Sequence, residues 1–291
     1  MHSYLKAVGF SNIKAKKEMD KILAEVINDY DEKLVVENDN ERLYAEISKA
    51  YGINSGITVW GEYDENNAFH MAYWYPYFRG TGISSREEVI IERHADKESY
   101  AGACDDVRVG VTLIFYLQNA AEYLMARGKE FLKQGESMLT LSGLAKKGKI
   151  LLPIEKAVNQ EKDERKATNN RNKLITAARN GNEEAIESLT MEDIDTYTMI
   201  SRRILNEDVF SIVESYFMPY GMECDQYNVL GEIMECNEVK NTKTGENVYQ
   251  LNIECNDICF DICINAKNLT GEPKVGRRFK GTIWLQGRVE F

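Results

Sequence analysis

Apolar and polar residues alternate along this chain with two different periods, and the change of period divides it into regions. Met19, Ile22, Leu23, Val26, Ile27 and Tyr30 recur at helical spacing with Lys, Asp and Glu between them, which predicts an amphipathic first helix packed on a following sheet. From Lys33 to about Gln118 the period falls to two. Lys33–Glu37 is a short apolar run, and Leu43, Ala45 and Ile47 alternate with Tyr44, Glu46 and Ser48. Ile57–Tyr63 and Ala68–Tyr75 flank Asp64-Glu65-Asn66-Asn67, a hairpin loop. If Tyr63 pairs with Ala68, Trp60 lies across from Met71 and shares a face with Phe69, Tyr73 and Tyr75. Glu88–His94 reads as a further strand, and Val107, Val109, Val111, Leu113, Phe115 and Leu117 form one face of another. Asn119, with Glu122 three residues on, opens a helix over Ala120–Phe131. Met138–Ile154 reads as a hairpin with Lys146-Lys147-Gly148-Lys149 at its tip.

The next stretch, 155–180, is rich in Glu, Lys, Asn and Arg and turns amphipathic only at Leu174 and Ile175, so it predicts a solvated helix ending at Gly181. A short helix from Asn182 through Leu189 follows. Thr190-Met-Glu-Asp193 resembles a capping box that opens another helix to about Leu205, and Val209–Phe217 fits strand or helix equally. Period two then returns. Tyr249, Leu251, Ile253 and Cys255 alternate up to Asn256-Asp257, and Ile258, Phe260, Ile262 and Ile264 alternate away from it. A two-residue turn there pairs 255 with 258 and 253 with 260 and puts every apolar residue on one face. In the last strand Phe279, Ile283, Leu285, Val289 and Phe291 point inward, Arg278, Lys280, Thr282, Trp284 and Gln286 outward, and Gly281 and Gly287 permit coiling. The expected architecture is α+β: an N-terminal, mainly antiparallel sheet with packing helices over 1–154, a helical connector over 155–225, and a small OB-like or SH3-like barrel over 226–291.

At 291 residues, two domains are the default. A net charge of -11 disfavours nucleic acid and anionic membranes, whose binding needs clustered cations. The first residues lack the apolar core of a secretory signal, and the apolar stretch around Val109–Leu117 is far shorter than the ~20 residues a membrane helix needs. Six Cys in a chain this long read as reduced thiols, which with the absent signal implies the cytoplasm.

Complete catalytic motifs are lacking: no G-x-S-x-G, no H-E-x-x-H and no phosphate-cradling G-x-x-x-x-G-K is present. His94 shares a strand face with Glu92, and the following loop brings Lys97, Glu98, Asp105 and Asp106, a set from which a general base could be assembled. Cys255, Cys259 and Cys263 invite a metal reading, but hairpin register puts Cys255 on one face and the other two on the opposite one, with no His nearby. Neither a metal nor a cofactor is therefore expected. The aromatic run around Trp74, with His70 and Arg79, could stack a ring ligand. Trp284 with Arg278, Lys280 and Arg288 pairs cations with an aromatic, as single-strand nucleic acid binding uses. Against that, 226–291 holds eight Lys or Arg and nine Asp or Glu, which is close to neutral.

The opening Met-His-Ser-Tyr-Leu-Lys-Ala-Val-Gly-Phe-Ser, Glu92-Arg-His-Ala95, Lys97-Glu-Ser-Tyr-Ala-Gly102, Cys104-Asp-Asp106, Pro219-Tyr-Gly221 with Glu223-Cys-Asp225, and Trp284-Leu-Gln-Gly287 resemble a family of unknown function from anaerobic Gram-positive bacteria. The resemblance covers the whole chain and implies a bacterial cytoplasmic protein, with no reaction, cofactor or catalytic residue to carry over. The leading expectation is a non-enzymatic binding or assembly protein with a protein partner, the terminal barrel serving as its interaction module and the α+β domain as a second surface. A small-ligand site or enzyme centred on His94, Glu92, Asp105 and Asp106 is the alternative, and single-stranded nucleic acid on the barrel a second one.

Overall fold

A computed structural model describes residues 2–37, 42–94, 99–128, 137–154, 160–205, 207–222 and 224–291; for 160–166, 168 and 169 it describes the backbone alone. The first helix, α1 (Lys16–Asn28), buries Met19, Ile22, Leu23 and Val26, as its spacing requires. Its open N-terminus is closed by Glu18, whose carboxylate accepts from Ala15 N at 3.2 Å. β1 (Glu32–Glu37), β2 (Leu43–Gly52), β3 (Ser55–Tyr63) and β4 (Phe69–Phe78) form an antiparallel sheet in chain order. The β3–β4 register differs from the expected one: Tyr63 pairs with Phe69, and Trp60 lies opposite Tyr73 instead of Met71. Asp64 causes the first shift by accepting from Asn66 N and Ala68 N, which lengthens the loop by a residue. Gly61 allows the second. A Cβ there would sit 2.3 Å from His70 O, so only glycine permits the bulge that stacks Trp60 on Tyr73 at 6.3 Å.

β5 (Val89–Arg93), β6 (Tyr100–Cys104) and β7 (Leu113–Leu117) make a second antiparallel meander, followed by α2 (Ala120–Gly128). The strand expected from Val107 begins only at Leu113. Asp106 accepts from Arg108 N and Nε and folds the intervening residues into turns. β6 has no apolar run to announce it. Its Gly102, together with Gly287, leaves room for the Phe115 ring, which comes within 2.1 and 2.4 Å of where their Cβ atoms would be.

The Met138–Ile154 hairpin is absent: β8 (Met138–Leu151) runs straight through Lys146–Lys149. Pairing on both edges overrides the local turn signal, antiparallel to β14 (Arg278–Glu290) and parallel to β12 (Ile258–Asn265). The connector forms α3 (Gln160–Arg179) and α4 (Glu183–Arg203). Asn182 caps α4 by accepting from Ala185 N. α4 is continuous where a break was expected, because Thr190 Oγ1 donates to Ile186 O within the helix instead of capping a new one. Residues 209–217 prove to be both elements in succession, one turn α5 (Val209–Ile212) and then β9 (Tyr216–Pro219), an edge strand on β10 (Gln226–Lys240). β11 (Asn247–Cys255) and the two-residue β13 (Leu269–Thr270) complete the set.

The five strands β8-β12-β11-β10-β14 close on themselves into a mixed barrel, so the closing strand comes from ahead of the connector. At the β11–β12 turn Asn256 and Asp257 both take left-handed φ, +52° and +59°, and Cys255 pairs with Ile258 and Ile253 with Phe260, as the alternation demanded. Leu251, Ile253, Ile262, Phe279, Ile283 and Leu285 fill the interior and are completely buried; Phe291, expected inside, is exposed at the chain's last residue. The outer wall is buried too. Trp284, Cys263, Leu144 and Val248 pack with Tyr4, Leu5, Val8 and Phe10 and with the α1 face of the first sheet, making a second core. Among the described residues, no helix is long and apolar enough to cross a membrane.

Candidate interaction surface

The cations and aromatics expected to form a binding face on β14 are all engaged within the chain. Trp284 is 6% exposed. Its ring meets His2 at 4.8 Å and Tyr116 at 5.2 Å, and its indole N–H donates to Asp225 at 2.6 Å. Arg288 donates to Glu122, and Lys280 Nζ sits 3.8 Å from the Phe210 ring centroid. Arg278, expected outward and charged for phosphate, is buried; its Nε, Nη1 and Nη2 donate to Leu152 O, Val213 O and Phe210 O at 2.7–3.0 Å. Burial lowers its pKa. The expected outward register is correct, but "outward" on this barrel means toward a second core. Trp74 is half-buried beside His2, and His70 is an exposed side chain whose Nε2 lies 2.9 Å from Asp64. The two do not form one site with Trp284's cations.

The four candidate catalytic residues do not converge either. His94 follows β5, whereas Asp105 and Asp106 follow β6, and in this antiparallel pair Val89 lies across from Cys104 and Arg93 from Tyr100. The acids are thus at one end of the hairpin and His94 at the other, roughly 20 Å apart at strand rise. Glu92 and His94 are exposed, and Lys97 and Glu98 lie outside the described residues. Asp106 is a latch. It accepts from Ser85 Oγ at 2.6 Å and from Arg108, while Arg108 donates onward to Ser84 O and Asp257 O, tying the barrel's hairpin turn to the meander. Burial pushes the Asp106 pKa up, but the Arg108 and Ser85 hydrogen bonds outweigh it and hold it low. Cys255 lies inside the barrel, Cys263 on the buried outer wall, and Cys259 is exposed.

A carboxyl that the alternation assigned to the polar face is the most perturbed acid described. Glu46 is 8% exposed, on the sheet face beneath α2, and accepts from Ala121 N at 3.1 Å at that helix's N-terminus. Burial drives its pKa up to about 7, opposed by the Ala121 bond and reinforced by Glu122. Beside it Ser48 and Thr58 share a hydrogen bond of 2.8 Å, and Tyr75 donates to Gln118 O. A perturbed acid suits catalysis only where substrate can reach it. The shallow groove at Gly52, Ile53, Val239 and Thr242 is elsewhere. Glu46 therefore acts as a buried helix cap. The sequence signal for it was Glu46 lying between Ala45 and Ile47 in a strand covered on both faces.

The element that exposes most large apolar side chains among the described residues is α4. Ala185 is buried and Leu189 and Ile200 half-buried, along the side of α4 where Arg171 of α3 pairs with Glu192 and Asp193. On the other side Ile186, Ile194, Tyr197 and Ile204 recur at helical spacing, with Met191 and Leu205 beside them. All are exposed, Tyr197 to 76% and Leu205 to 82%. The hairpin carrying them springs from a single root: Leu152 before it, and Phe210 and Val213 after it, share the Arg278 guanidinium. Both the root and the continuous stripe were hidden in the sequence by the expected break at Thr190.

The molecule is thus an α+β protein with a four-stranded antiparallel sheet, a closed five-stranded mixed barrel and an inserted helical hairpin. The chain belongs to the family described as "Domain of unknown function, E. rectale Gene description (DUF3881)", which matches residues 5–287. No curated protein and no solved structure gives a match.

Proposed function

We infer that this is a non-enzymatic assembly protein of the cytoplasm of anaerobic Gram-positive bacteria, and that it engages a protein partner through the α4 face of its helical hairpin. The observation that carries this reading is the exposed stripe Ile186, Ile194, Tyr197 and Ile204; among the described residues no other element exposes as many large apolar side chains. Helix-in-groove or helix-on-helix contact uses that spacing. Six free thiols support a reducing compartment. Against nucleic acid stands the burial of Trp284 and Arg278, and against a His94-centred enzyme the separation of His94 from Asp106. A photo-crosslinking amino acid placed at Ile194 in the full chain, with exposed Lys17 as control position, tests the reading in cells. Adducts of discrete mass are expected from 194 and not from 17; a helix face that yields none from 186, 194 or 204 would sink it.

A further inference from the structure

We propose that the occupant of the α4 face is a second copy of this chain, its α4 running antiparallel across a two-fold axis near residue 195. The proposal rests on the assembly reading above and adds the partner's identity. Two features of α4 are self-complementary in that arrangement. The first is spacing. A two-fold interface requires each residue to meet its own mirror in the sequence, and here Ile186 meets Ile204 and Ile194 meets Tyr197, two pairs whose midpoints fall within half a residue of each other beside residue 195. Ile186 and Ile204 are eighteen residues apart, five whole turns at ~3.6 residues each, so both point the same way along ~27 Å of helix.

The second feature is charge. α4 is acidic in its first turn, with Glu187 following, and basic in its last. Glu184 and Arg202 are also eighteen residues apart and so lie in line on one flank, with Glu187 beside that line. In an antiparallel pair related by a two-fold axis the same flanks meet. With the axis near residue 195, Glu187 of one copy therefore lies level with Arg202 of the other, and Glu184 about one turn beyond it, twice per dimer. A parallel pair would instead set acid on acid and base on base. The stripe and its flanks cover roughly 500 Å² per copy, about 1,000 Å² in all, which is the lower bound of a specific interface. An interface at that bound is a weak, reversible one, so the monomer–dimer balance should depend on concentration.

Sedimentation of the full chain across concentrations tests this, with three variants. The wild type should pass from monomer to dimer, and Tyr197→Glu should weaken dimerisation at least a hundredfold by placing charge at the dyad. Arg202→Glu alone should weaken it about tenfold. Adding Glu184→Arg and Glu187→Arg to Arg202→Glu in the same chain should restore it to within threefold, since each copy then presents the reversed pattern to the other. Rescue is the readout that a merely structural role for these exposed residues would not produce. A wild type monomeric at all concentrations overturns the proposal, as does a dimer indifferent to Tyr197→Glu or without rescue. If that monomer still gives a crosslink from position 194 to another protein, the assembly reading stands and only the identity of the partner falls; with no crosslink, both fall.

Discussion

The barrel and the helical hairpin handle apolar side chains in opposite ways. Along β11, β12 and β14 the inward residues Ile253, Phe260, Ile262, Ile283 and Leu285 are buried, and outward Cys263 and Trp284 are buried as well by the first sheet and the N-terminal turn. Along α4 only Ala185, Leu189 and Ile200 turn away from water, while Tyr197 and Leu205 stay largely exposed. A closed barrel flanked by a second layer offers each side chain a neighbour on either face. Two helices offer each other one face apiece, so the remaining stripe has no partner within the hairpin. Exposed apolar surface forgoes about 25 cal/mol per Å², which makes the stripe costly unless another surface covers it. In the barrel the fold accounts for the apolar pattern; in the hairpin it accounts for half of it.

The difference breaks most sharply at Phe115. Its ring is pressed over Gly102 and Gly287 between the meander and β14, within the core shared with the barrel, and it is completely buried. Phe115→Ala leaves a cavity that two glycines cannot fill, and about 3–5 kcal/mol of stability should be lost in urea unfolding. A loss under ~1.5 kcal/mol would mean that the meander and barrel are not one cooperative unit.

Glu46 sharpens the comparison from the electrostatic side, because it shows a charge trapped by the same two-sided burial. Its pKa of about 7 in the fold exceeds the ordinary 4.5, so the folded state binds its proton more tightly than the unfolded chain does. Stability from this group is therefore fully present below about pH 4.5, falls as pH rises to about 7, and is level beyond. Glu46→Gln keeps an acceptor for Ala121 N and removes the titration. It should leave stability at pH 4 unchanged and raise it by on the order of 3 kcal/mol at pH 8. A pH-independent difference between the two proteins would refute the burial account.

Local pattern sufficed where neighbours in sequence are neighbours in space. The β11–β12 turn, its register and the inward faces of β12 and β14 follow from alternation and the Asn256-Asp257 pair. It failed where distant segments decide. Lys146–Lys149 looks like a turn until β13 and β14 pair along it, and Trp284 looks solvent-facing until Tyr4 and His2 lie over it. Arg278 resembles a phosphate ligand because nothing nearby in sequence reveals that Leu152 and Phe210 will present their carbonyls to it. The α4 stripe is legible at helical spacing once Thr190 is read as an interior residue. The capping-box pattern concealed it.

That guanidinium is the hinge between the two regions, and loosening it separates them. Arg278→Met removes three hydrogen bonds at the root while keeping an apolar stem. About 1–3 kcal/mol should go with them, seen in hydrogen exchange as faster opening of Phe210–Val213 while Ile253 and Phe260 in the barrel stay protected. Equal acceleration in both segments would show that the hairpin is not an appendage.

The smallest effect belongs to the stripe itself. Ile194 is exposed and touches neither core, so in dilute monomer its truncation to Ala removes no buried contact and improves local helix propensity. Unfolding free energy should change by under ~0.5 kcal/mol, against the several expected at Phe115, although both are large apolar residues in regular structure. The comparison is then repeated at high protein concentration. There Ile194→Ala should become destabilising, because linkage adds the free energy of association to the folded state. A variant equally neutral at both concentrations would leave the stripe without a partner and make α4 an apolar helix that the fold simply tolerates.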